Sequence, residues 1–262
     1  MLGKLLKYDL KYMLKNMSAF YILAIFFAVT TRILFSLEQT IIINILGQIS
    51  VGCFIAILIN ILINTVIRSW VRFRESIYLD ESYLTHTLPV TKSQIYNSKF
   101  LQVLIFYLVG FAVVVLSLFI AYYTDGRWEM LKGLIESITT GLNFSTTFFV
   151  VGMLSIIFLE IFNAIQCGFL GMILGHKQNN SKLLLSICFG FIVYLIAQFI
   201  VLAMVFIVAL FDEGLMNMFT SNVLNNVGSF KLLINLAIAL YVVIIFLMSI
   251  ICKKIFKRVD VE

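Results

Sequence analysis

The 262-residue chain is 62% hydrophobic and 12% charged, with a formal net charge of +6. Soluble domains run near half apolar and a quarter charged, so a single aqueous core cannot hide this much apolar surface and the bilayer must act as solvent. The excess of base follows from membrane topology and anionic lipid and implies no nucleic-acid partner.

The first seventeen residues, MLGKLLKYDLKYMLKNM, place Lys4, Lys7, Lys11 and Lys15 on one side of a helix. Leu2, Leu5, Leu6, Tyr12, Met13 and Met17 take the opposite side. This pattern predicts an amphipathic elbow helix over residues 1–17, lying in the inner interface with Lys toward headgroups. The apolar run that follows is longer than a signal-peptide core and has no A-x-A-like site, so no cleavable signal is expected. Asp9 falls in the middle of the apolar side, where a lone carboxylate is costly unless paired. The expected partner is an arginine following the second span: Arg68, Arg72 or Arg74. The competing expectation is that the helix tilts and Asp9 stays wet.

Six apolar runs reach the roughly twenty residues a spanning helix needs. They lie at about 18–37, 41–67, 100–123, 144–174, 183–211 and 231–252. None alternates with period two, which excludes barrel strands and predicts an all-α membrane protein forming one transmembrane domain over 1–262. With both termini in the cytoplasm, fifteen of the nineteen Lys and Arg residues fall on the inner side, as the positive-inside rule requires. A multi-pass protein of the cell membrane is the expected localisation. Asn60 and Asn64, four apart in the second span, are expected to hydrogen-bond across a helix interface.

Residues 68–99 form a polar island. Trp70, Phe73 and Ile77 recur at helical spacing, which predicts that the second span continues past the membrane. Further on, LPVTKSQI carries a complete helix start. Pro89 disfavours helix at Leu88, Thr91 and Gln94 form a T-x-x-Q capping box, and Val90 with Ile95 makes the apolar staple. Leu79 to Leu88 is left as a short folded elbow. Membrane helices need only a few residues to turn around, so an elbow of this size points to a docking surface, with a solvated, merely structural loop as the competing expectation.

The opening KLLKYDLKYMLK, the stretch ESIYLDESYLTHTLPVTKSQIYNSK and the six-span layout resemble permease subunits of ABC transporters of the ABC-2, or type-2 exporter, class. The small six-span permeases of Firmicutes are especially similar. The resemblance covers the whole chain. It implies an amphipathic elbow before the first span and a coupling helix in the first cytoplasmic loop that seats in a separate ATPase subunit. Carried over by position, that coupling element falls within Glu75 to Leu88 and includes Glu75, Tyr78, Asp80, Glu81, Tyr83, Leu84, Thr85 and His86. It further implies a pair of permeases around one pathway, with ATP and Mg held by the partner ATPase. One departure is the outer segment DEGLMNMFTSNVLNNVGSF, short and nearly uncharged where the class commonly has re-entrant helices.

No G-x-x-x-x-G-K-[ST] occurs, so this chain has no phosphate loop of its own. Nor does it contain H-E-x-x-H or G-x-S-x-G, and its four cysteines show no metal spacing. Neither enzyme activity nor a metal or cofactor bound by this chain is expected. Within the spans, Glu160 stands out: intramembrane carboxylates are costly and are functional candidates by default. It shares a helix face with Asn163, Cys167 and Gly171, expected to look toward a pathway or another helix. Gly168, Gly171 and Gly175 offer close helix approach nearby. The exported material expected from such apolar walls is an amphipathic peptide or lipid-like compound. Two alternatives stand beside export: a non-transporting sensor or immunity protein, and a proton-coupled secondary transporter using Glu160.

Overall fold

The structure, a computed structural model, describes residues 2–38, 40–79, 81–87, 89–123, 125–141, 145–178, 181–221 and 227–257. All regular structure among them is α-helical, in the order α1 (Leu2–Ser36), α2 (Ile41–Tyr78), α3 (Ser82–Thr87), α4 (Lys92–Tyr122), α5 (Asp125–Gly141), α6 (Thr146–Gly175), α7 (Lys182–Ala209), α8 (Glu213–Ser221) and α9 (Val227–Phe256). Six of these, α1, α2, α4, α6, α7 and α9, are long and apolar enough to cross a membrane. The chain divides into two compact units, Met1–Leu131 and Lys132–Glu262, each holding three of the six.

In the first unit, α1 packs against both α2 and α4. Its apolar core joins Met13, Met17, Ala24 and Ala28 of α1 to Phe54, Leu58 and Ile61 of α2 and to Phe106 and Val114 of α4. The expected elbow helix is not separate. Residues 2–36 form one unbroken helix, because no Pro interrupts them and the only Gly is at position 3. On the side of the first seventeen residues expected to face acyl chains, Asp9, Met13 and Met17 are instead buried in protein, while Tyr12 stays exposed. Lys7, Lys11 and Lys15 remain exposed on the other side.

The second helix runs without interruption past the expected end of its span to Tyr78. The start of α4 has the expected capping box: the Gln94 backbone N–H donates to Thr91 Oγ1 at 3.3 Å and the Thr91 N–H donates to Gln94 Oε1 at 3.0 Å. These reciprocal bonds satisfy amide donors that would otherwise be orphaned at the helix start.

In the second unit, α6 packs against α7 and α9. The buried residues of α7 are Ser186, Gly190, Ala197 and Ala209, whereas Leu184, Ile187, Phe191 and Phe199 are exposed. Small side chains inside and large ones outside reverse the order of a soluble helix, as expected where lipid is as apolar as Leu and packing depends on close backbone approach. At the α6–α7 crossing, a Cβ placed on Gly171 would lie 2.5 Å from Gly190 Cα and 2.6 Å from the Ser186 carbonyl oxygen. Before α8, Asp212 Oδ1 accepts from the Leu215 backbone N–H and from Ser229 Oγ, both at 2.8 Å. These bonds hold its carboxyl below the usual carboxylate range and tie the start of α8 to the start of α9.

The crossing yields a direct expectation. Gly171→Leu must force backbone apart and should cost about 1–3 kcal/mol, read as a lowered thermal transition in detergent. Gly52→Leu, at a site where an added Cβ meets nothing within 4 Å, should leave the transition in place; equal losses in both would remove the close-packing account.

Candidate functional site: a buried charge cluster and an anchored elbow

Four charged side chains converge at one end of the first unit. Asp9 of α1 lies between Arg72 of α2 and Lys99 of α4, and all three are almost fully buried. Arg72 donates to Asp9 Oδ1 through Nε at 3.0 Å and Nη2 at 2.6 Å. Lys99 Nζ donates to the other oxygen, Asp9 Oδ2. The remaining reach of the guanidinium goes to Glu81, just before α3, with Nη1–Oε1 at 2.8 Å and Nη2–Oε2 at 2.7 Å. Tyr12 contributes its ring, whose centroid lies 4.6 Å from Arg72 Cζ, a favourable cation–π placement. Two cations therefore meet two carboxylates, and Glu75 stands at the rim, 3.9 Å from Arg72.

The choice of arginine matters. A planar fork with five donors engages two carboxylates at once, whereas an ammonium is a single point of charge. Buried ion pairs add little net stability relative to apolar packing, but losing one partner strands a desolvated charge. The cluster therefore fixes which helices stand together: α1, α2 and α4, with the elbow drawn in by Glu81.

Of the three candidate arginines, Arg72 pairs with Asp9. Arg68 lines a small cavity with Tyr12 and Asn16, and neither its Nε nor that of Arg74 has a hydrogen-bond partner among the described residues. In the sequence, Lys99 bears only on topology, as one of the inner-side basic residues. It lies two turns into α4, immediately before the apolar run at 100–123, on the end that carries Arg72.

The elbow set separates into different environments. Tyr83, at 76% exposure, and Leu79, at 38%, face outward. Thr85 is buried, with Oγ1 donating to the Glu81 carbonyl at 3.1 Å. Glu81 is directed at Arg72 rather than wholly outward, and Glu75 and Tyr78 are half-buried. Leu84 and His86 belong to α3, but their side chains, and Asp80 and Leu88 altogether, lie outside the described residues.

In the second unit, Glu160 Oε1 accepts from Tyr194 Oη at 3.0 Å and from Gln198 Nε2 at 3.4 Å, and Tyr241 Oη donates to Gln198 Oε1 at 3.2 Å. This chain of bonds links α6, α7 and α9. Tyr194, Gln198 and Tyr241 were not singled out from sequence, where aromatic and amide residues inside long apolar runs read as packing. Asn163 is buried, and its Oδ1 accepts from Cys167 Sγ at 3.8 Å. The expected cross-interface bond of Asn60 and Asn64 is corrected. Asn64 Nδ2 donates to the Asn60 backbone carbonyl at 3.0 Å and also to its side-chain oxygen, within α2 itself. At i and i+4 the two side chains are nearest neighbours on one helix face, so they satisfy each other.

The fold and these two polar clusters define a multi-pass, all-helical membrane protein. No family model, curated protein or solved structure matches the chain.

Asp9→Ala should leave both Arg72 and Lys99 without their shared carboxylate and destabilise the first unit by about 3–5 kcal/mol. Arg68→Ala should change stability by less than about 0.5 kcal/mol. Denaturation in mixed micelles measures both, and a double-mutant cycle of Asp9→Ala with Arg72→Ala should show clear coupling. Independent, additive losses would contradict the cluster.

Proposed function

We propose that the chain is the membrane permease subunit of an ATP-driven exporter, working as a pair around one pathway with a separate ATPase. The observation that carries this reading is the elbow: α3 is tied to the spanning helices through the Glu81–Arg72 ion pair while Tyr83 is presented outward. An elbow serving only as a connection would have no need of so firm a link. The sequence features already described support it: six spans, a Lys- and Arg-rich side in keeping with cytoplasmic termini, and no phosphate-loop motif in this chain.

In this reading, nucleotide-driven closure of the ATPase pushes on α3. Arg72 transmits the push to α1 through Asp9, and Lys99 carries it to α4 through the same carboxylate. The three helices then move as one body rather than bending individually. The cargo is an amphipathic peptide or lipid-like compound, in keeping with the apolar spans.

Exposed tyrosines at the centre of a protein contact carry much of its binding energy. Tyr83→Asp should therefore lower recovery of the ATPase with the tagged permease by about tenfold or more while leaving membrane insertion intact. Purification of the unaltered chain from its native membrane without any ATPase chain or ATP hydrolysis would overturn the reading.

A second reading, proton-coupled transport, is favoured by one observation, the Glu160 carboxylate held by Tyr194 and Gln198 among apolar helices. It requires export that persists after ATP depletion and is abolished by Glu160→Gln. The exporter reading requires the opposite response to ATP depletion.

A further inference from the structure

The segment between the third and fourth spans contains α5, a 17-residue helix that the run of apolar residues did not announce. It carries Asp125, Arg127, Glu129, Lys132 and Glu136 and is about 26 Å long at 1.5 Å per residue, so it is too short and too charged to cross a bilayer. From Trp128 onward its residues separate around the axis, while Arg127, in the first turn, falls on the apolar arc. At 100° per residue, Trp128, Met130, Leu134 and Ile135 fall within one arc of roughly 160°, and Glu129, Lys132, Gly133, Glu136 and Ser137 fall within the opposite one. Met130 is 69% exposed and Leu134 54% exposed. On the polar side, Lys132 Nζ and Glu136 Oε1 lie 3.6 Å apart in solvent.

The place of this helix in the chain says what covers the apolar side. It begins three residues after α4, a spanning helix, ends at Tyr122, so its start is confined to the edge of the hydrocarbon layer. There Trp128 joins an aromatic group with the last turn of α4. The Phe119 and Tyr123 rings stack at 4.5 Å, and the Trp128 ring lies 5.9 Å from Tyr123 and 6.4 Å from Phe119. Tyr and Trp concentrate at the membrane–water boundary because each has an apolar body and a polar tip. Phe119, Tyr123 and Trp128 are all about half exposed, so the group is open to its surroundings rather than sealed in protein.

We infer that α5 lies in the plane of the membrane interface, with Trp128, Met130 and Leu134 in the upper acyl layer and Glu129, Lys132 and Glu136 toward water. The leaflet is the one at the C-terminal end of α4, opposite the Asp9–Arg72–Lys99 cluster at its N-terminal end. It is the outer leaflet under the proposed orientation, but the interfacial placement itself does not rest on the exporter reading. A helix seated this way acts as a float. It fixes the depth of the third span and presents an amphipathic surface to any lipid or peptide arriving in that leaflet.

Tryptophan fluorescence tests this on the intact protein in phosphatidylcholine vesicles. Trp70 and Trp128 are the two tryptophans, so the signal of Trp128 is the difference between the unaltered chain and Trp128→Phe, checked against Trp70→Phe if that variant folds. Lipids brominated near the headgroup end of the acyl chain should quench Trp128 about twofold more than lipids brominated at the chain terminus. Met130→Glu with Leu134→Glu should abolish most of that quenching and shift Trp128 emission to the red, whereas Glu136→Gln should leave it unchanged. Absence of quenching by either lipid would mean that protein or water covers the face, and stronger quenching by the terminal bromines would mean deep insertion; both outcomes overturn the inference.

Discussion

The bond between Asp9 and Arg72 is the constraint on which the first unit depends. Neither charge is tolerable alone at this burial, and each removes the other's cost only if α1 and α2 stand in one register. Lys99 uses the second oxygen of the same carboxylate, so α4 is bound by the condition that fixes the other two. A single carboxylate thereby specifies three helices, and Glu81 extends the specification to the elbow. Apolar contacts such as Met13 and Met17 against Phe54 and Phe106 supply the close packing, but similar contacts are compatible with many registers. The charges select one.

The second unit solves the same problem with no buried ion pair among its described residues; its Lys132–Glu136 pair is exposed and lies within one helix. Its helices approach through glycine at Gly171 and Gly190, and small side chains occupy the inner face of α7. Polar specification comes from neutral donors: Tyr194 and Gln198 each donate to Glu160, and Tyr241 donates to Gln198. Hydrogen bonds of this kind are individually modest in a membrane, about 0.6 kcal/mol on average, so backbone proximity rather than polar bonding dominates this unit. The two units thus rest on different physics, strongly directional charge in one and van der Waals contact in the other.

Much of this was legible in the sequence where the signal is local. The six spans follow from length and apolarity, and the Thr91–Gln94 capping box follows from residues three apart. The need of Asp9 for a partner was legible because a carboxylate on an apolar helical side is an inconsistency that demands resolution. The choice of Arg72 over Arg68 and Arg74 was not, since it depends on how α1 and α2 rotate against each other. Lys99 and Tyr194 were missed for a related reason: a lysine near a span end already satisfies the positive-inside rule, and a tyrosine in an apolar run already satisfies packing. The continuity of α1 is not legible, because the pattern of lysines on one side fits an interfacial helix and a bundle helix equally; which one forms is decided by Asp9, whose pairing draws that side into protein. Helix α5 escaped notice because its apolar residues are too few to register as a run, though their spacing is helical.

The length of α2 sets a further dimension. Its 38 residues amount to about 57 Å of helix, against a hydrocarbon layer of about 30 Å. The helix is thus longer than one crossing needs, and toward its C-terminal end the Arg72 fork ties it to α1 through Asp9 and to the elbow through Glu81.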